Sequence, residues 1–207
     1  MNLSRPWAIV RSALDMEVLR VLLGTKRPLT GREVARLVRA GSQSAVNTAL
    51  RRLSVEGVLR SQEAGKAYLY TVNREHLATP GLERLASIRS ELERRLREEV
   101  GAWKVPAAHI SIFGSAARGD GDEHSDLDVF VVRRAGVPAD DQRWRAQLEQ
   151  LADHVHAWTG NHVGLSEVSA VDAKRLRKQQ PPVADELRHD AITIFGPGAS
   201  ELLRARA

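Results

Sequence analysis

The sequence predicts an α+β chain of two domains, and three observations carry that prediction. Residues 12–72 read as three helices followed by a strand hairpin, whereas from residue 105 onward strands alternate with helices. Charge divides along the same line. Residues 1–75 hold 13 Lys/Arg against 6 Asp/Glu, a net of +7, while the whole chain is only +5, so residues 76–207 carry −2. Thr79-Pro80-Gly81 punctuates the junction. The expected division is residues 1–78, a connecting helix over 79–104, and a second domain over 105–207.

In the first part, residues 12–24 place Leu14, Val18, Leu19, Val21, Leu22 and Leu23 at helical spacing, and Gly24 ends the helix. Thr30 caps a second helix, with Glu33 completing a capping box and Val34, Leu37 and Val38 as its buried stripe. After a turn at Ala40-Gly41, Ser42 caps a third helix carrying Ala45, Val46, Ala49, Leu50 and Leu53. Val58 to Gln62 and Tyr68 to Val72 read as strands joined by a turn at Glu63 to Lys66. One helix over Leu82 to Ala102 then lines up Leu82, Leu85, Ile88, Leu92, Leu96 and Val100. That stripe suits either packing on a domain or the seam of a homodimer.

In the second part, strands are expected at Ile110 to Phe113, Val129 to Val132, His162 to Ser169 and Ala191 to Phe195. Helices are expected at Asp140 to Thr159, Val171 to Lys178 and Val183 to His189. A mixed sheet with its helices on one face is the expected arrangement.

The chemistry concentrates at Gly114-Ser115 and, ten residues further, Asp126-Leu127-Asp128. Residues two apart on a strand share a face, so the two aspartates point together and Leu127 points away. Paired carboxylates repel each other, and their charged forms call for a cation. A hard divalent ion, Mg²⁺ or Mn²⁺, suits an oxygen-only pair. Gly114 and Ser115 offer backbone freedom and amide donors for phosphate, with Arg118 as a bidentate clamp.

This pattern, Gly-Ser-x10-Asp-x-Asp with Ala-Arg-Gly after the serine and Ser125 before the first aspartate, resembles the polymerase-β-type nucleotidyltransferase superfamily. Its small minimal members are the nearest in look, over roughly residues 105–198. The resemblance implies Asp126 and Asp128 as metal ligands, and Gly114, Ser115, Arg118 and Ser125 as the nucleotide cradle. It also implies a third carboxylate on a neighbouring strand. The only acidic residue in the expected strand is Glu167, and strict alternation puts it with Val163 and Leu165. Either the strand end bends, Glu167 is a solvated charge, or the third carboxylate is absent.

The element order of residues 8–75 is similar to the winged helix-turn-helix of bacterial transcription regulators. That resemblance implies a third helix in the major groove of double-stranded DNA, with Ser42, Gln43, Ser44, Asn47 and Thr48 toward the bases. Arg51 and Arg52 follow one turn on, and Arg60 and Lys66 of the hairpin would meet the backbone. Docking to protein instead of DNA is the other use of such a domain.

Composition excludes several classes. There is no Cys in the 207 residues, so disulfide, thiolate and zinc-thiolate chemistry is out. No apolar run of membrane-spanning length and no signal-peptide core occurs, and the chain reads as cytoplasmic. The histidines show no ligand spacing; His154 and His156 are two apart on a helix and share no face. His124, in the loop beside the aspartates, either touches nucleotide or faces solvent. Two functions follow from the resemblances. One is a metal-dependent transferase moving a nucleoside monophosphate from a nucleoside triphosphate to a protein, RNA or small-molecule acceptor, with DNA binding and a toxin–antitoxin partner as companions. The other is a transcription regulator whose second domain senses nucleotide without chemistry.

Overall fold

The structure, a computed structural model, describes residues 1, 3–38, 41–122, 125–179 and 181–203. Ala40 of the expected turn and His124 lie outside the described residues. The chain divides into two compact units, Met1–Arg89 and Ser90–Ala207.

In the first unit a 3₁₀ turn at Pro6–Ile9 leads to α1 (Ala13–Leu23), β1 (Leu29–Thr30), α2 (Gly31–Leu37), α3 (Gln43–Val55), β2 (Leu59–Ala64), β3 (Ala67–Val72) and α4 (Thr79–Ala86). Two capping boxes start the first helices: Ser12 with Asp15, and Thr30 with Glu33. Ser42 caps α3 by accepting from the Ala45 N–H. Val18, Leu19 and Leu22 of α1 meet Val34 of α2 and Val46, Leu50 and Leu53 of α3 in one core. The sheet runs β1-β3-β2, all antiparallel, and Gly65 takes φ +63° at the hairpin tip.

The helix expected over residues 82–102 is two helices, α4 and α5 (Ile88–Gly101), separated at Ser87. Its stripe serves two interiors. Leu82 packs in the core of the first unit, Leu96 and Val100 in that of the second, and Leu85 and Ile88 between them are exposed. A helix whose apolar residues are claimed by two separate cores has no single face to keep straight.

The second unit follows α5 with β4 (His109–Phe113), α6 (Gly114–Arg118), β5 (Leu127–Arg133), α7 (Gln142–Thr159), β6 (Val163–Ser169), α8 (Ala170–Gln179), α9 (Pro182–His189), β7 (Ile192–Phe195) and α10 (Ala199–Leu203). The sheet order is β6-β5-β4-β7; β4 is antiparallel to both neighbours and β5–β6 is parallel, joined across α7. Helices cover both faces, not one. Ile110, Ile112, Val129 and Val131 face Leu96, Val100, Trp144, Leu148 and Leu151 of α5 and α7. Phe113, Phe130 and Val132 face Ala173 of α8, Ala184 and Leu187 of α9 and Leu203 of α10. β4 is buried at every position, His109 and Ser111 included, and such a strand needs cover on both sides. Among the described residues no helix is long and apolar enough to cross a membrane.

Candidate active site

β4 and β5 bring the sequence motif together by register. Phe113 pairs with Asp128, so Gly114, the next residue, sits against the aspartate. Gly114 has φ +67°, and a Cβ there would lie 2.4 Å from the Asp128 Oδ2. Both the left-handed backbone and the close approach therefore require glycine. On the other side β6 pairs Gly164 with Asp128, and a Cβ at Gly164 would lie 2.8 Å from the Asp128 Oδ1. The Asp128 carboxylate thus occupies a slot between two glycines. Gly164 escaped the sequence reading, although a glycine inside a strand is itself a signal of close approach.

Burial pushes the Asp128 carboxyl above the ordinary range, repulsion from Asp126 and Glu186 adds to this, and Arg118 opposes it. Asp126, one residue before β5, is exposed. A partly buried carboxylate crowded by two others is the electrostatic situation that a bound cation relieves. Two carboxylates with substrate phosphates suffice for Mg²⁺, and among the described residues no cluster of three or more His, Cys, Asp or Glu is arranged to hold an ion.

Around this pair, α6 carries Ser115, half-buried, and Arg118, exposed and 3.2 Å from Asp120. Gly119 ends α6 with φ +76° and its N–H on the Ser115 carbonyl. Ser125 accepts from the Asp122 N–H (3.0 Å) and donates to the Asp122 carboxylate (2.8 Å), so its hydroxyl staples the loop. Behind the turn, His109 is fully buried. Its Nδ1 donates to the Pro197 carbonyl (2.8 Å) and its Nε2 accepts from the Ser111 hydroxyl (3.0 Å). Burial lowers its pKa, so the ring is a neutral tether between β4 and the segment after β7.

Glu167 does not join this group. It pairs with Val131, so it shares the Leu127–Val129–Val131 face, opposite to Asp128. There it accepts from the buried Trp144 indole N–H (2.9 Å) and from Arg133 (2.5 Å). The β6 strand stays regular, and the position beside Asp128 is Gly164. Glu167→Gln is expected to leave transfer within about twofold of wild type while destabilising the fold by about 1 kcal/mol, since a charge-assisted bond becomes a neutral one. Paired activity and urea-unfolding measurements check this.

In the first unit, Gln43, Ser44, Thr48 and Arg51 lie exposed along α3 with Asn47 half-buried among them, and Lys66 is exposed at the hairpin tip. Gln43 donates to the Gly31 carbonyl (3.1 Å), and Asn47 packs so close over Gly31 that a Cβ there would meet its Oδ1 at 2.4 Å. The Thr48 hydroxyl donates to the Ser44 carbonyl. Arg52 departs from the expected surface. It turns inward, ion-pairs with the buried Asp15 and donates to the Ile9 carbonyl (2.8 Å). Helical geometry explains the split: adjacent residues are a hundred degrees apart, so Arg51 and Arg52 cannot share a face. Arg60 is exposed and ion-paired with Glu75.

Residues 89–179, which contain the Gly114 turn, both aspartates and the whole of β6, match the family model for the nucleotidyltransferase domain. The match spans 91 of the 207 residues. The match supports an enzyme of the nucleotidyltransferase class. No curated protein matches it. Among solved structures, a toxin–antitoxin complex with AMP-PNP aligns at TM-score 0.36 and 19% identity, over 54% of this chain and 79% of that one. A mutant of the toxin–antitoxin pair MntA–HpeT aligns at TM-score 0.37 and 16% identity over the same shares.

Proposed function

We propose that the second unit transfers a nucleoside monophosphate from a nucleoside triphosphate to an acceptor hydroxyl in a divalent-metal-dependent reaction. The observation that carries this is the Asp128 carboxylate, held between Gly114 and Gly164 and crowded by Asp126. In this reading Asp126 and Asp128 hold Mg²⁺ or Mn²⁺, which when bound supplies charge neutralisation for the phosphates. Gly114 and Ser115 direct amide donors at the triphosphate, and Arg118 exchanges Asp120 for a phosphate oxygen. Ser125 acts by shaping the loop. A bond forms between the acceptor oxygen and the α-phosphorus, the bond to pyrophosphate breaks, and the hydroxyl proton passes to water. Glu167, the candidate for a third carboxylate, lies on the face opposite Asp128, so water rather than that carboxylate receives the acceptor's proton. An acceptor that is a protein, as in a toxin–antitoxin pair, an RNA or a small molecule is compatible with it.

The test is incubation with each α-labelled nucleoside triphosphate and Mg²⁺ or Mn²⁺ in cell lysate. A labelled macromolecule or small product is expected; no transfer from any of the four nucleotides would remove the reading. Nucleotide binding without transfer would instead favour a sensor, with DNA binding as the output.

A separate observation favours DNA as a partner of the first unit, read as a winged helix. Ser44, Thr48 and Arg51 form one exposed face of α3, and Lys66 stands at the hairpin tip. Arg51→Ala and Lys66→Ala are each expected to weaken duplex binding and lower the slope of log K against log salt by about 1. Asp126→Asn leaves that binding unchanged. Salt titrations by fluorescence anisotropy decide it, and unchanged slopes would count against this face.

A further inference from the structure

We infer that His156 and His162 form a stacking platform for an unpaired nucleobase at the edge of the Asp126–Asp128 site. His156 lies in the last turn of α7 and His162 just before β6, and their rings stack with centroids 4.9 Å apart and planes 11° from parallel. Both residues are exposed. The segment that carries them is tied to the strand start that carries the aspartates. The Leu127 N–H donates to the His162 carbonyl (2.8 Å), and the Asn161 side-chain amide donates to the Ser125 carbonyl (2.9 Å). These two bonds bracket Asp126 on either side. The His156 Nδ1 contacts the Asn161 carbonyl at 3.3 Å, which orients that ring.

The geometry narrows the chemistry. An imidazole binds metal through a lone pair in the ring plane, and two nearly parallel, offset planes cannot aim their lone pairs at one ion. What the pair does present is a flat aromatic surface with ring nitrogens at its margin. That surface suits a planar heterocycle with hydrogen-bonding edges, the recognition mode of unpaired bases on aromatic and histidine side chains. His154, two residues away, is engaged elsewhere: it contacts Glu99 at 2.9 Å and stacks on Trp158. The platform is therefore specific to His156 and His162.

The base has two possible sources, the incoming nucleoside triphosphate or a single-stranded acceptor. The inference rests on the proposed reading of Asp126 and Asp128 as the phosphate-side site, and the probes keep the two apart. Three are titrated into the full chain with Mg²⁺: inorganic tripolyphosphate, a non-hydrolysable ATP analogue, and a four-nucleotide single strand. Against wild type, His162→Ala and His156→Ala are expected to weaken one base-bearing probe by about tenfold and to leave tripolyphosphate unchanged. His162→Phe, which keeps a flat ring, is expected to retain most of the affinity. Weakening of the ATP analogue assigns the platform to the incoming nucleotide, and weakening of the strand assigns it to an acceptor. Equal weakening of tripolyphosphate, or no change with either base-bearing probe, would overturn the platform. Failure of tripolyphosphate and the ATP analogue to bind wild type at all would remove the proposed function and the platform with it.

Discussion

Replacing Asp126 and Asp128 together with asparagine is expected to reduce nucleotidyl transfer by about a thousandfold or more, because the proposed reading makes these two carboxylates the holders of the cation. The same change at Asp128 alone is expected to raise the melting temperature of the metal-free protein. The sign follows from the direction of the shift. Burial and the charges of Asp126 and Glu186 raise the folded-state pKa of Asp128 above its ordinary value of 3.8. A raised carboxylate favours folding below the ordinary pKa, and that contribution is lost as pH rises through the raised value. At pH 7 the ionised Asp128 therefore opposes folding, and asparagine relieves it. Thermal melts at pH 7 with and without MgCl₂ and nucleotide read both effects. Wild type is expected to gain stability from the ligands, and Asp128→Asn to start higher and gain little. A metal-free wild type that melts above Asp128→Asn would contradict the crowding described for this carboxylate.

Arg52→Ala is expected to destabilise the first unit by about 3 kcal/mol, because removing one member of a buried ion pair leaves the other charge uncompensated. The Asp15 side chain is only 4% exposed and that of Arg52 20%. Asp15 also accepts from the Arg11 and Ser12 backbone N–H groups, so it is fixed in place by the capping box and cannot follow a departing partner to solvent. Arg52 in addition satisfies the Ile9 carbonyl. Arg51→Ala, one residue away and exposed, is expected to change stability by less than about 0.5 kcal/mol. Urea unfolding of both variants checks the contrast. An Arg52→Ala protein of wild-type stability that has lost only DNA affinity would reverse the assignment of the two arginines.

The two arginines show where reading the sequence reached its limit. Ser42 and Thr30 announce helix starts because a cap is a local hydrogen bond within three or four residues, and both caps are present. The sequence reading placed both Arg51 and Arg52 toward DNA. Deciding which faced inward required Asp15, 37 positions earlier in the chain, whose pairing is a tertiary event. The helix expected across residues 82–102 failed for a related reason: its spacing is helical throughout, but two cores share its stripe.

At the candidate site, Gly114, Ser115, Asp126 and Asp128 were legible because the chemistry is written in a short local pattern and strand parity is a backbone property. Glu167 was legible as a doubt, since parity already set it with Val163 and Leu165; the parallel register with Val131 and the bond from Trp144 place it away from Asp128. The stacked pair His156 and His162 had no sequence signature, since they lie on either side of the Gly160 turn, outside any ligand or helical spacing.

The sequence alone determined the capped starts of α2 and α3, the strand parities, the glycine turn, the aspartate pair and the charge division of the chain, because each depends on residues close together or on summed charge. The tertiary structure alone decided which face of the sheet received Glu167, that Gly164 walls the other side of Asp128, that helices cover both sheet faces, and which arginine points inward. Those depend on pairing register and on packing between distant segments, where a one-residue shift moves every side chain to the opposite face.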